Sequence, residues 1–362
     1  MKARRKTMTK PLRIIQVGLG GWGWSWTQVV LDSPYWELAA IVDLNKDLLN
    51  KACQHYQIKS NMAFQSLTEA VQRVEADAVL VLVPPDYHAD VALEAFKNKL
   101  HCIVEKPLAG TFADCRKIVE AAGENGCKIM VSQNYRFKRA PQTVKKVIKQ
   151  NIIGELGSIY INFQKSPQFA GFRAEMEEPL IIDMAIHHFD QIRGILGLEP
   201  VSIKAHSWNP KWSWFKGNAV ASVLFEMSNG AVVSYTGSWV SRGWETTWDG
   251  DWRIQGEEGE ILWANNQVIV KPHDIFKSVF MQGARETNGE LLVDLVELPA
   301  EERWASLQEF AESILENREP ETSGRDNLLS LAMVLGAVQS VKTGNKVLIE
   351  EILNSSKAES LT

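Results

Sequence analysis

Cysteine is scarce in this chain of 362 residues, with only Cys53, Cys102, Cys115 and Cys127 present. They form no CxxC pair and have no histidine partner at zinc-finger spacing, which argues against a structural zinc site and leaves reduced thiols in a cytoplasmic setting as the expectation. A basic excess is missing too. Thirty-nine Lys plus Arg stand against 44 Asp plus Glu, for a net charge of −5, and such a balance disfavours nucleic acid as a partner. The longest apolar run, Ala78 to Val83, is far shorter than the roughly 20 residues that cross a bilayer, so no membrane span is expected. Internal repeats and low-complexity stretches are absent. The basic start, MKARRKTMTK, lacks the apolar core and cleavage site of a secretory signal and reads as a frayed tail, the alternative being a mitochondrial address.

What is present suits a globular protein. The chain is 45% hydrophobic and 23% charged, enough for one full core and room for two. Arg13 to Val17 is a β-branched run that ends on Gly18-Leu19-Gly20-Gly21-Trp22-Gly23, after which Ser25 to Leu31 continues as a helix. Leu38 to Val42, Ala78 to Val83, His101 to Val104 and Lys128 to Ser132 read as further strands with helical patterns between them, Phe112 to Asn125 being the last. Alternating strands and helices predict a parallel sheet covered on both faces. Beyond about residue 135 one helical stretch, Pro141 to Gln150, gives way to strand patterns at 158–163, 220–225, 231–239, 252–255, 260–263 and 267–270. Turn signals such as Ser228-Asn229-Gly230 and Glu257-Glu258-Gly259 between them predict hairpins and a largely antiparallel sheet. The expected class is α/β plus α+β, with a Rossmann domain over 1–135 and a substrate-binding and oligomerisation domain over 136–362. Two amphipathic helices, Glu302 to Asn317 and Arg325 to Lys342, close the chain.

The glycine loop carries the first chemical signal. A dinucleotide site needs one glycine for the tight turn, a second for close backbone approach to the pyrophosphate and a third for helix packing, places filled by Gly18, Gly20 and Gly23. The helix opening there points its unpaired N–H groups at the phosphates. Asp43, at the end of the next strand and 20 residues after Gly23, supplies the acidic partner. Its carboxylate would accept from the ribose hydroxyls and repel a 2′-phosphate, which favours NAD over NADP, while Lys46 tempers the preference. Trp22, Trp24 and Trp26 read as helix and domain packing rather than as a stacking platform.

Three further motifs make the chain resemble the glucose-fructose oxidoreductase and inositol dehydrogenase family, Gfo/Idh/MocA. They are Pro84-Pro85-Asp86-Tyr87-His88, Glu105-Lys106-Pro107 and Asp183-Met184-Ala185-Ile186-His187. The resemblance runs from the glycine loop to Gly344-Asn345-Lys346-Val347. It implies a Rossmann domain, a second domain whose open sheet often forms the oligomer interface, and an active site between them. By resemblance the cofactor contacts comprise Gly18, Gly20, Gly21, Trp22, Gly23, Asp43, Pro84, His88, Glu105 and Lys106. It also implies that Lys106 touches the reacting oxygen, that Pro107 follows it through a bond that is often cis, and that His187 is the acid–base residue oriented by Asp183. Arg136, in Gln133-Asn134-Tyr135-Arg136-Phe137, matches a stretch near the nicotinamide, with a structural ion pair as the alternative. The chain departs from the family at Glu177-Glu178-Pro179-Leu180, where a glycine-rich approach is common.

The residues themselves support part of this. Asp183 and His187 lie four apart, so on a helix they share a face, with Asp190 near it and His188 elsewhere. A metal held by Asp183, His187 and Asp190 is not expected, since family members need none. A neutral histidine suits proton acceptance near pH 7, and an ammonium such as that of Lys106 stabilises a developing alkoxide. Seven of the 13 tryptophans fall between Trp208 and Trp252, and Trp244 and Trp248 on the polar segment are the candidates for stacking on a carbohydrate; most of the others read as core or interface. The expected activity is a reversible NAD-dependent dehydrogenation of a sugar, polyol or cyclitol. An NAD-dependent glycosidase, a non-catalytic NAD-binding regulator and an unrelated Rossmann dehydrogenase are the competing readings. A second sheet with too few helices to cover both faces predicts a homodimer or homotetramer.

Overall fold

The computed structural model describes residues 10–273 and 283–355; the basic start before Lys10 lies outside them. Contacts divide the chain into two compact units. Among the described residues, the first takes in 10–134 and returns for Ala300–Leu328, while the second holds Tyr135–Pro299 and 329–355. A single cut near 135 therefore misses two crossings, at 299/300 and 328/329, because residues 300–328 belong with the first unit rather than with the second.

The first unit alternates strands and helices in the order β1 (Leu12–Val17), α1 (Trp22–Asp32), β2 (Trp36–Val42), α2 (Lys46–His55), β3 (Ala63–Phe64), α3 (Leu67–Arg73), β4 (Ala78–Val81), α4 (His88–Lys97), β5 (His101–Val104), α5 (Phe112–Asn125) and β6 (Ile129–Val131). All strands pair in parallel, in the order β3-β2-β1-β4-β5-β6. This is the doubly wound order whose crevice opens outside the carboxyl ends of β1 and β4, where the chain reverses direction across the sheet. β4 is buried throughout, as a strand covered on both faces must be. Helix starts follow their caps: Asn45 accepts from the N–H groups of Asp47 and Leu48 at α2, and Thr111 from that of Asp114 at α5. Gly126 ends α5 in the left-handed region with φ 67°.

The second unit runs through α6 (Arg139–Lys149), β7 (Leu156–Gln164), α7 (Phe172–Glu175), α8 (Ile186–Leu196), β8 (Pro200–Trp208), β9 (Val220–Met227), β10 (Val232–Ser238), β11 (Asp251–Gly256), β12 (Gly259–Ala264), β13 (Gln267–Pro272), β14 (Ala284–Thr287) and β15 (Glu290–Val293). The chain then passes through α9 (Glu302–Leu315) in the first unit and α10 (Gly324–Thr343), and ends in β16 (Val347–Leu348) and α11 (Ile349–Asn354). The second sheet has the order β14-β15-β13-β12-β11-β7-β10-β9-β8-β16. Among the described residues, only β7 and β10 of this sheet pair in parallel. In β9 and β8 exposure alternates residue by residue over most of their length, the signature of a sheet with one face covered and the other open.

α9 returns to the first unit for a visible reason. Trp36 stacks on Phe310 with centroids 5.5 Å apart, and its indole donates to the Leu307 carbonyl at 2.8 Å. Farther on, the Thr322 hydroxyl donates to the Val131 carbonyl at 2.6 Å. Phe310 and Leu307 are fully buried, and burial of side chains of this size is worth about 1.5–3 kcal/mol each.

Candidate active site

The first unit gathers its chemistry along one edge. Because β2, β1, β4 and β5 are neighbours in a parallel sheet, the segments that follow them emerge side by side. These are Asp43, the glycine turn, Pro84–His88 and Glu105–Pro107. Gly18 has φ 100°, and a Cβ there would come within 2.7 Å of the Leu82 backbone. At Gly23 a Cβ would stand 2.6 Å from the Gly18 carbonyl oxygen, so the turn and the helix–strand approach both require glycine. The side chain of Gln16, fully buried, braces this turn by donating to the carbonyls of Gly18 (3.1 Å) and Gly23 (2.9 Å). Sequence reasoning passed over Gln16, although a polar residue inside an otherwise apolar strand was its signal.

The same turn fits a dinucleotide. A Cβ on Gly20 or Gly21 would meet nothing within 4 Å, which leaves bare backbone facing open space. α1 starts there with no side-chain cap and no acidic residue in its first turn, so no side chain of its own first turn compensates its positive end. Asp43 lies across the turn, accepting from the Leu19 N–H at 2.9 Å through one oxygen and from the Asn45 N–H at 2.9 Å through the other. Each oxygen retains a lone pair for a further donor.

Glu105 is held by indoles. Its Oε1 accepts from Trp26 Nε1 at 2.9 Å and Trp22 Nε1 at 3.2 Å, and Oε2 from the Lys106 N–H at 3.1 Å. Burial pushes its carboxyl above the usual range, against the pull of those donors and of the Lys106 charge. Trp26 is fully buried whereas Trp22 is 60% exposed. Trp24 packs against His55 and Tyr56. The guanidinium of Arg303 in α9 sits 4.7 Å from the Trp22 ring centre and 5.5 Å from that of Trp26, and donates to Ser25 Oγ at 2.7 Å. The Lys106–Pro107 bond is cis.

The ring of His88, a residue expected among the cofactor contacts, is buried, with Nδ1 2.9 Å from the Pro107 carbonyl and Nε2 2.7 Å from that of Val83. It ties the turn after β4 to the turn after β5. Burial lowers its pKa, opposed by the two carbonyls. Pro84 is exposed at the head of that turn.

The second unit holds the remaining candidates. Asp183 does not lie on a regular α-helix: Leu180–Ala185 forms a π-helical turn that leads into α8, a local widening often found at functional sites. Its Oδ2 accepts from Arg173 Nε at 2.6 Å, a partner the sequence pattern did not suggest. His187 is buried, with its ring 4.3 Å from that of Tyr135 and nearly parallel at 13°. His188 points into the core, its Nδ1 3.2 Å from Tyr235 Oη and its Nε2 3.0 Å from the Trp248 carbonyl. Desolvation drives its pKa down to about 4.

Arg136 forms the structural ion pair that was the alternative to a place near the nicotinamide or substrate. Its guanidinium is buried and grips Asp190 through Nε (2.5 Å) and Nη2 (2.6 Å), while Ser330 Oγ donates to the same carboxylate at 2.7 Å. Asp190 is thereby committed to the core. In the segment Glu177-Glu178-Pro179, Glu178 is buried and accepts from Ser207 Oγ (2.9 Å) and Asn218 Nδ2 (2.8 Å), which anchors that loop to the sheet. Trp244 is 96% exposed, and Trp248 is 41% exposed with Lys165 Nζ 5.5 Å from its ring centre. Trp239, Trp252 and Trp263 are core residues.

Known proteins match on this architecture. The model of an oxidoreductase family with an NAD-binding Rossmann fold matches residues 12–133, and that of the GFO/IDH/MocA C-terminal domain matches residues 142–262. The 1,5-anhydro-D-fructose reductase of Ensifer adhaerens is 26% identical over 292 residues, covering 79% of this chain and 83% of the relative. The inositol 2-dehydrogenase of Pseudarthrobacter chlorophenolicus is 31% identical over 199 residues, covering 54% and 58%. A solved oxidoreductase from Agrobacterium radiobacter, in complex with NAD+, L-tartaric acid and magnesium, shares the fold at a TM-score of 0.83 and 23% identity over 95% of this chain and all of that one. With both of its domains matched in order, the chain belongs to the Gfo/Idh/MocA oxidoreductase family.

Proposed function

We propose that this protein is an NAD-dependent dehydrogenase that interconverts a secondary alcohol of a sugar, polyol or cyclitol with the corresponding ketone. The observation that carries the reading is the alignment of the bare glycine turn, Asp43 and Glu105-Lys106-Pro107 along one sheet edge. Relatives named as reductases and dehydrogenases of anhydrofructose and inositol support the substrate class. When bound, the nicotinamide supplies the hydride acceptor.

The chain's own residues handle binding and the proton. Gly18, Gly20, Gly21, Trp22 and Gly23 would bind the diphosphate with backbone N–H groups at the start of α1. Asp43 would take the ribose hydroxyls and select against NADP. Lys106 would stabilise negative charge on the substrate oxygen, and His187 would accept that oxygen's proton during oxidation and return it during reduction. Asp183, fixed by Arg173, would favour the protonated imidazole. Trp244 and Trp248 would offer rings to the sugar.

We propose in addition a homodimer or homotetramer formed through the open sheet face. Tyr160, Leu224 and Leu262 are exposed there. They lie in one row across the strands: Leu224 is opposite Ser234, Ser234 opposite Tyr160, Tyr160 opposite Arg253 and Arg253 opposite Leu262. Exposed apolar side chains aligned in this way fit an interface. Light scattering should give a multiple of the 40.7 kDa chain mass, and a monodisperse monomer at micromolar concentration would reject it. The cytoplasm is the compartment proposed.

The test of function is incubation of the purified protein with NAD+ and a panel of polyols, cyclitols and sugars, following NADH absorbance and identifying products by mass spectrometry. Ketone formation with matching NADH supports the reading. Release of free sugar from glycosides without net NADH would assign a glycosidase instead, and NAD+ binding without turnover a regulator.

A further inference from the structure

Tyr135 sits in a short turn, Asn134–Phe137, just before α6, and two groups close on its ring. One is the His187 imidazole, stacked at 4.3 Å and 13°. The other is the Lys138 ammonium, 3.5 Å from the ring centre. Two groups this near one centroid cannot share a face, so the phenol ring lies between imidazole and ammonium. The ammonium is itself fixed, donating to both oxygens of Asp249 at 3.1 and 3.3 Å, with side-chain exposures of only 14% for Lys138 and 4% for Asp249.

The circuit closes on α8. Gln191, one helical turn after His187, donates through Nε2 to Asp249 Oδ1 at 3.1 Å and to the Tyr135 carbonyl at 3.3 Å. Trp252 Nε1 donates to the Asp249 carbonyl at 2.7 Å. The helix that carries His187 thus also holds the backbone of the residue on which His187 stacks. Rotation of the imidazole out of its plane would break the stack, while movement of Tyr135 would break the contact with Lys138. His188, next in sequence, turns its ring nitrogens to Tyr235 and the Trp248 carbonyl instead, near enough to Asp249 and Lys138 to feel their charges.

We infer that Tyr135 and Lys138 are positioning residues that fix the plane of the His187 imidazole, and the inference rests on the reading of His187 as the proton acceptor. A proton acceptor works in proportion to how often its nitrogen points along the hydroxyl, and a fixed ring plane removes one of its two torsional freedoms before substrate arrives. Stacking acts on the ring faces and leaves the ring edge, where both nitrogens lie, to hydrogen bonding. An aromatic platform therefore sets orientation without occupying the reacting atoms.

The experiment has a spectroscopic arm and a kinetic arm. In protein labelled with 13C-histidine, the His187 ring signal is identified by its loss in His187→Gln. Stacking on Tyr135 should move that signal upfield of its position in Tyr135→Leu, and Tyr135→Phe should retain the upfield position. In turnover of whichever panel alcohol reduces NAD+, Tyr135→Leu should lose about 10-fold to 100-fold in kcat, the scale of a misplaced reacting group, with KM and NADH affinity little changed. Tyr135→Phe should restore kcat, and Lys138→Gln, which frees the outer face of the ring, should give an intermediate loss. A His187 signal that does not move in Tyr135→Leu, or wild-type kcat in a folded Tyr135→Leu, would overturn the inference. Should Tyr135→Leu fail to fold, an unmoved His187 signal and unchanged kcat in Lys138→Gln would overturn it equally. If His187→Gln keeps full activity while the upfield signal is present in the wild type, the stack is real and the catalytic reading of His187 has failed.

Discussion

Arg136 and Asp190 meet in a bidentate ion pair, 2.5 and 2.6 Å long, with both side chains at most 3% exposed. The pair turns a family-like motif into a core fixture. Removing one partner of such a pair leaves an uncompensated buried charge, which costs about 3–5 kcal/mol. Arg136→Ala should lower unfolding free energy by that amount in urea denaturation. Gly194→Ala should also destabilise, because its Cβ would fall 2.3 Å from Arg136 Nε. A near-neutral Arg136→Ala would mean that the pair contributes little.

Cofactor preference should follow Asp43. NADH should bind more tightly than NADPH, and Asp43→Ser should narrow the difference by removing both a ribose acceptor and the repulsion of a 2′-phosphate. Because Asp43 also accepts from the Leu19 and Asn45 N–H groups, some NADH affinity should be lost as well. Fluorescence titration measures both, and tighter NADPH binding by the wild type would transfer the selectivity to Lys46.

Glu105 should matter to the fold of its turn. Glu105→Ala leaves the Trp26 indole N–H without its 2.9 Å acceptor, and an unsatisfied buried donor costs about 1–3 kcal/mol. Glu105→Gln keeps an acceptor and should cost less. Urea denaturation of the two variants decides, and equal stabilities would contradict the assignment.

Stability should fall on mild acidification. His188 has a folded-state pKa near 4, against 6.5 ordinarily, and His88 is lowered as well. At these two histidines the unfolded chain therefore binds more protons, for His188 between about pH 4 and pH 6.5, so their contribution to stability rises with pH across that window and levels above it. The raised Glu105 and Glu178 carboxyls act in the opposite sense. For His188 the full span corresponds to about 3 kcal/mol. Unfolding measured at pH 7.5 and pH 5 should show the loss, and His188→Phe should flatten the slope. For the same reason His188→Ala is no inert control for His187→Ala, since it opens a hole beneath Tyr235.

The parallel sheet of the first unit was legible because it rests on local signals, namely β-branched runs, the glycine turn and capped helices such as Phe112–Asn125, whose bounds match the expectation; the short β3 was not read. Six strands of the second sheet followed from alternation and turn residues, whereas β8, β14, β15 and β16 were not read. The return of residues 300–328 was not legible. It depends on Trp36 meeting Phe310, a contact between residues far apart in sequence that no local pattern announces. Among the site residues, Asp43 and the glycines could be read because spacing defines them. The surroundings of His88, Arg136 and Asp183 could not be read fully, because they are set by partners that no local pattern announces, near in sequence or far: the Val83 and Pro107 carbonyls, Asp190, and Arg173.

Lys106 and His187 are the two residues on which the proposed chemistry depends most directly. Initial rates of NADH formation are measured for wild type, Lys106→Ala and His187→Ala with the first panel alcohol that reduces NAD+, alongside NADH affinity for each. Loss of a positioned acid–base or charge-stabilising group should reduce the rate about 100-fold to 10,000-fold, with NADH affinity retained in the His187 variant. Wild-type rates in either variant, or no NADH binding by the unaltered protein, would contradict it.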